Sequence, residues 1–206
     1  METKALRELA EIRTGYPFRE GVERVPKGGC VLIQAGNIDG VAGDMAGLPT
    51  RITAPANFRE HALRFGDVLM VARGPRNDAA TFTWSGGEAV AASHIIILRT
   101  EGRITIPDYL TWFLNLPRTQ AKIRAMRSES SVPFVAVEAL GRLKIEVPSI
   151  EVQKKIAEVQ KLSAREQRLL EEIRTRRRVL VDGLLMGAVS SDQLSATNEQ
   201  NSKGKK

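Results

Sequence analysis

Two arginines and an asparagine lie within five positions of one another in Arg73-Gly74-Pro75-Arg76-Asn77-Asp78. These residue types read nucleic acid. An arginine fork matches guanine bidentately, an asparagine amide matches adenine, and both also bind phosphate oxygens. The Gly-Pro pair makes the segment a loop, and loops held on a rigid scaffold carry function disproportionately. The alternative is a solvated surface loop. Gln34 and Asn37 flank Gly36 and are candidates by the same chemistry, set against the ordinary use of asparagine in turns. Lys27, followed by Gly28 and Gly29, can bring an ammonium group and a close backbone to a phosphate, or simply form a loop.

The other reactive side chains do not assemble into a catalytic set. His94 follows Ser93, and the second histidine, His61, is far away in sequence. Asp67 follows Gly66 at the start of an apolar run, where a lone carboxylate reads as a turn former. A hydrolase using His94 with Asp67 is therefore the weakest functional reading. Cys30 is the single cysteine; it can form no internal disulfide, has no zinc-binding companions, and reads as a small buried hydrophobe. The sequence shows no nucleotide-binding glycine loop, no Asn-Pro-Pro-Tyr-like methyltransferase motif and no nuclease carboxylate cluster with lysine. The expectation is a chain that is not an enzyme and takes neither cofactor nor metal.

The elements that must position these residues are mostly strands. Cys30-Val31-Leu32-Ile33-Gln34-Ala35 reads as a buried strand ending at Gly36-Asn37. Phe65-Gly66-Asp67 is a turn feeding the strand Val68–Ala72, from which the Arg73–Asp78 loop departs. Thr81–Trp84 alternates and turns at Gly86-Gly87. Ile95–Leu98 is a further strand, and Leu143–Val147 another, stopped by Pro148. Residues 36–57 read as loops or short strands, and Phe134–Val137 as a short extended piece. Leu6, Leu9 and Ile12 suggest a short opening helix or turn. Pro107-Asp108 starts a helix with an apolar face of Tyr109, Leu110, Trp112, Phe113 and Leu116, and a second helix covers 118–127.

From residue 150 the pattern changes. No proline or glycine occurs until Gly183, and Val152, Val159, Ile173 and Leu180 recur at seven-residue spacing, broken by Glu166. Ile156, Leu162 and Leu169 fill in beside them. Such spacing marks a helix packed along another helix. Some 35 residues make a rod of about 50 Å, too long for the preceding domain to cover, so these residues are expected to form a dimer interface. Arg174, Arg176, Arg177 and Arg178 spread around the helix circumference rather than along one face. A solvated helix end is their default, and a surface for DNA backbone or an acidic subunit the alternative.

With 42% apolar residues the chain is globular, and its net charge of +7 favours polyanionic partners. Residues 151–188 carry nine basic against six acidic side chains. The N-terminus lacks an apolar signal core and no run approaches membrane-spanning length. A cytoplasmic protein without membrane contact is expected.

Four segments resemble, in order, the DNA-specificity subunits of type I restriction–modification enzymes. Phe65-Gly66-Asp67-Val68-Leu69-Met70-Val71-Ala72-Arg73-Gly74 is similar to the "GD-I/V-L then R-G" segment of their target recognition domains. Gly15-Tyr16-Pro17-Phe18 resembles the early glycine-containing turn. Pro107-Asp108-Tyr109-Leu110 with Trp112-Phe113-Leu114 resembles the "P-x-Y-L" helix. Leu143–Pro148 with Gln153 and Ile156-Ala157 resembles the approach to the conserved long helix. The four pieces lie within residues 1–188, from Gly15 to Ala157.

The resemblance implies an α+β fold: a strand-rich mixed target recognition domain over 1–149, then one long coiled-coil-type helix over 150–188. Residues 189–206, rich in Ser, Asn, Gln and Lys, read as a disordered tail. In the family the region of Ser128, Ser130 and Ser131 also faces DNA, which implies hydroxyl contacts to phosphate from Ser130 and Ser131; a flexible linker is the alternative. Full specificity subunits carry two recognition domains and two long helices. This chain shows one of each and so resembles a half-subunit. The resemblance implies a homodimer with antiparallel helices that binds double-stranded DNA at a bipartite site. It also implies a partner modification methyltransferase subunit, joined by a restriction subunit where the system has one. An oligomerisation or protein-interaction module without specific DNA binding is the competing reading from another class.

Overall fold

Strands that are apolar on both faces need cover on both sides, and the chain supplies it. The computed structural model describes residues 2–18 and 21–203, with side chains of the last helix described as far as residue 188. The strands are β1 (Glu2–Ala5), β2 (Ala10–Thr14), β3 (Cys30–Ile33), β4 (Ile38–Asp39), β5 (Asp44–Met45), β6 (Thr50–Ile52), β7 (Val68–Val71), β8 (Ala79–Thr81), β9 (Ala89–Ala91) and β10 (Ile95–Thr100). The helices α1 (Pro107–Asn115), α2 (Pro117–Ala125) and α3 (Val137–Gly141) follow, then β11 (Lys144–Val147) and α4 (Ile150–Lys203). This is a mixed, strand-rich domain followed by a long C-terminal helix.

An antiparallel sheet of order β2-β10-β7-β8 forms the centre. Strand alternation divides its side chains between two cores. Val68, Met70, Ile96 and Leu98 face one core with Leu110, Leu114, Leu140 and Ile145. Leu69, Val71, Ile95 and Ile97 face the other, shared with Val31, Ile33 and Phe82. A second sheet, β6-β3-β9, pairs β3 with β9 in parallel. Cys30 is buried there among Leu32, Ile52 and Val90, and burial, reinforced by Glu88, raises its thiol pKa.

Of the two openings expected from Leu6, Leu9 and Ile12, a short helix or a turn, the structure has the turn. β1 pairs antiparallel with β11, a 3-10 turn spans Leu6–Glu8, and Ile12 lies in β2. The turn places Leu6 and Leu9 in the same core, three residues apart, a spacing that a helix would also give. The glycine of the Gly15-Tyr16-Pro17-Phe18 segment has a packing reason. The Gly15 amide donates to the Ile95 carbonyl, and a Cβ at Gly15 would lie 2.2 Å from the Ala92 oxygen.

α1 begins with Pro107 at its first turn, and the Tyr109 hydroxyl donates to the Glu146 carbonyl (2.6 Å), tying the helix to β11. The start of α4 is fastened by Gln153, which is fully buried. Its Oε1 accepts from the Ile106 amide (3.0 Å), and its Nε2 donates to the carbonyls of Ile104 and Pro148 (both 2.9 Å). Ile156 packs against the main core beside it. These contacts explain why the first compact unit, Met1–Lys161, takes in the opening turns of the helix, later than the boundary at 149 that the sequence suggests. Gln153→Ala strands three peptide groups and should lower unfolding free energy by about 1–3 kcal/mol. Urea denaturation checks this, and an unchanged midpoint would show that water replaces the amide.

The second unit, Leu162–Lys206, contains the remainder of α4. Its backbone stays helical to Lys203, beyond the helix end at 188 expected from the sequence. The expected tail over 189–206 otherwise falls outside the described side chains. Among the described residues no helix is long and apolar enough to cross a membrane.

Candidate nucleic-acid interface

The chain leaves the central sheet where β7 ends, at Val71 and Ala72. Gly74 has φ +128°, a conformation that L side chains rarely adopt, so glycine is needed where the chain turns away. The loop then closes on its own strand. The Val71 amide donates to the Asp78 carbonyl (2.9 Å), and the Asn77 side-chain amide donates to the Val71 carbonyl (2.8 Å).

A second loop braces the first. Arg127 Nε donates to Asn77 Oδ1 (2.8 Å), and Arg127 Nη2 reaches both that oxygen and the Pro75 carbonyl. Arg73 and Phe134 form an antiparallel bridge, and the Val135 amide donates to the Ala72 carbonyl (2.9 Å). Ser128 closes the second loop: its amide donates to the Phe134 carbonyl, and its hydroxyl accepts from the Phe134 amide. Residues 73–78 and 127–135 thus make one braced surface.

Arg73 is exposed, and its guanidinium lies 5.7 Å from the centroid of the Phe134 ring. Among the described residues it makes no ion pair. Arg76 is also exposed, but its Nε pairs with Asp78 at 3.2 Å. Ser130 and Ser131 stand exposed on the second loop, with the Ser130 hydroxyl donating to the Val132 carbonyl (2.8 Å). His94 is half-buried next to these loops, its carbonyl accepting from the Ala72 amide. Burial, and then Arg73, pushes its imidazole pKa below the ordinary value.

Asn77 is not available to a ligand: it is 0% exposed and both ends of its amide are committed within the chain. The expected base contact gives way to a positioning role. Asn37 is likewise a turn former, its Oδ1 accepting from the Gln34 amide and its Nδ2 donating to the Ala46 carbonyl. Gln34 itself is exposed at the C-terminal end of β3. Because β3 and β9 run parallel, Gln34 and Ser93 leave the second sheet at the same edge, and His94 follows Ser93. Lys27 precedes β3 and therefore sits at the opposite edge from Gln34. The structure thus gathers Arg73, Arg76, Ser130 and Ser131, brings the Gln34 edge toward them through β9 and β10, and leaves Lys27 apart.

Sequence reasoning missed Arg127 and Phe134. Both carry suggestive types, a guanidinium before a serine-rich loop and an aromatic after Pro133, but their partners lie about fifty positions away or more. Asp67 is also resolved. It is buried and held bidentately by Arg99, at 2.7 and 2.6 Å, which agrees with a structural rather than a catalytic carboxylate.

A family model described as the type I restriction modification DNA specificity domain matches residues 1–175. No curated protein gives a significant match. Among solved structures, a chain from work on complex assembly and conformational transition of the type I R-M system is 16% identical, with TM-score 0.66; the match covers 89% of this chain and 43% of that one. The HsdS subunit from Thermoanaerobacter tengcongensis is 18% identical with TM-score 0.57, covering 86% and 44%. The type I S subunit from M. genitalium is 15% identical with TM-score 0.51, covering 82% and 40%. At these identities the likeness is one of fold, and this chain spans less than half the length of the structures it matches.

Proposed function

The chain belongs to the type I restriction modification DNA specificity family, and from that premise we propose that it recognises a half-site in duplex DNA for a separate modification methyltransferase. The observation that carries the reading is Arg73. An exposed guanidinium without an acidic partner among the described residues, backed by an aromatic ring on a braced loop, is prepared for a bidentate contact to a guanine edge. Arg76 and Ser131 stand exposed on the same braced surface as donors for phosphate. Two copies joined through their long helices read two half-sites separated by a spacer, and hold methyltransferase subunits, with a restriction subunit where one exists. The uncovered apolar side chains of α4 favour this assembly, and they also favour the competing reading, an assembly module without specific DNA binding. Salt separates the two, because phosphate contacts release counterions and duplex binding must weaken as salt rises. Sequencing the methylated motifs made when the chain is co-expressed with its methyltransferase tests the proposal directly. A change of methylated motif that follows this chain supports it; motifs that ignore the chain refute it.

The two arginines should differ. Arg73→Ala is expected to lose about 1–3 kcal/mol on the cognate duplex and to relax preference at one position. Arg76→Ala should lose less, because its guanidinium is shared with Asp78. Arg176→Ala and Arg177→Ala on α4 should weaken all sequences equally or change nothing. Titration of each variant on cognate and random duplexes reads this out. Equal loss on both duplexes for Arg73→Ala would reassign that side chain to the phosphate backbone.

A further inference from the structure

We propose that Phe134, with Val132 beside it, is an apolar contact for the 5-methyl group of a thymine next to the base pair that Arg73 reads. The inference rests on the DNA-recognition reading above and adds a base identity to it. Two large apolar side chains stand exposed together on this basic, hydroxyl-lined loop surface. Val132 is 52% and Phe134 37% exposed, and their neighbours are Arg73, Ser130 and Ser131.

What covers them is limited by how they are held. The Phe134 backbone is fixed through its amide and carbonyl to Ser128 and through the bridge to Arg73. The ring also carries the Arg73 guanidinium near it. It can present its remaining surface at the edge of a base. In the major groove the thymine methyl is the apolar feature that distinguishes one base pair from the others, and phenylalanine is among the side chains that meet it. Arg73 sits against the same ring, so the guanidinium and the apolar surface reach neighbouring pairs together. The half-site is therefore expected to hold a guanine adjacent to a thymine.

Replacing thymine by deoxyuridine removes only the methyl and leaves the hydrogen-bonding edges intact. The half-site is first selected from a random duplex pool with the full-length chain. Each thymine is then replaced in turn, and affinity is measured at fixed salt. One replacement, beside a guanine, should weaken binding roughly fourfold, the size of one buried methyl. Phe134→Ala should make the chain indifferent to that methyl, and Phe134→Leu should keep the preference. Wild-type protein supplies a second measurement. With 5-iododeoxyuridine at the sensitive position, where iodine replaces the methyl, irradiation should crosslink the chain at Phe134. A selected half-site without such a thymine, a uracil penalty unchanged in Phe134→Ala, or a crosslink elsewhere overturns the inference while leaving DNA recognition in place. A chain that selects no sequence at all overturns both.

Discussion

Asp67→Ala should destabilise the recognition domain by about 3–5 kcal/mol, the cost of breaking a desolvated ion pair from one side. Asp67 is 1% exposed and the Arg99 side chain 15%. Two parallel bonds, Arg99 Nε to Oδ1 and Nη2 to Oδ2, join them, and the Arg64 amide gives Oδ2 a further donor (2.8 Å). The carboxylate holds the Arg99 guanidinium pKa above its usual value; without it the guanidinium, basic enough to stay protonated in any case, is a largely buried charge with no partner carboxylate. Arg99→Met added to Asp67→Ala should recover most of the loss, since the remaining charge goes with it. Thermal unfolding measures both, and the single variant should melt roughly 10 °C below the parent. A single variant within 1 °C of the parent would mean that water reaches the pair. The same bonds explain the Gly-Asp part of the recognition-domain segment: the pair anchors the start of β7, whose other end launches the Arg73 loop.

The central strands were legible because Val68–Val71 and Ile95–Leu98 are apolar at every position, which leaves little but a doubly covered strand. The opening of the chain was legible only as a helix or a turn. Leu6, Leu9 and Ile12 repeat every third residue, and a 3-10 turn running into a strand satisfies that repeat as well as a helix does. What decides is the pairing of β1 with β11, which joins the two ends of the domain and has no local trace. α3, at five residues, was too short to show a period. The candidate site divides in the same way. Residue type and loop position picked out Arg73, Arg76 and Gln34, which the structure leaves exposed. Type alone could not tell that Asn77 is consumed by Arg127, a partner fifty residues on, nor that Lys27 and Gln34 leave β3 at opposite ends. Those distinctions come from strand direction and from side chains arriving from elsewhere in the fold.

The proposed homodimer leads to the other large effect. Leu169 is 49% and Ile173 61% exposed, and Val159, Leu162 and Leu180 are exposed as well. Leu169→Asp with Ile173→Asp should convert a dimer to a monomer at micromolar concentration, because each places a charge in an apolar seam. Ile156 provides the contrast. It packs against the domain's own core, so Ile156→Asp should unfold the domain rather than split a dimer. In the proposed homodimer Glu166 is expected to set the register. The seven-residue repeat from Val152 to Leu180 is centred on it, so an antiparallel pair with Val152 opposite Leu180 brings Glu166 near the partner subunit's Glu166 at the two-fold axis. Arg165 and Arg168 make no ion pair among the described residues and lie close enough in sequence to neutralise both carboxylates. A polar residue at one seam position fixes alignment at some cost in stability. Glu166→Leu should therefore tighten the dimer and loosen its register, giving more than one spacer length in the methylated motif. Sedimentation of the double variant at the parent's rate would remove α4 as the interface, and a weaker dimer in Glu166→Leu would move the two-fold axis away from residue 166.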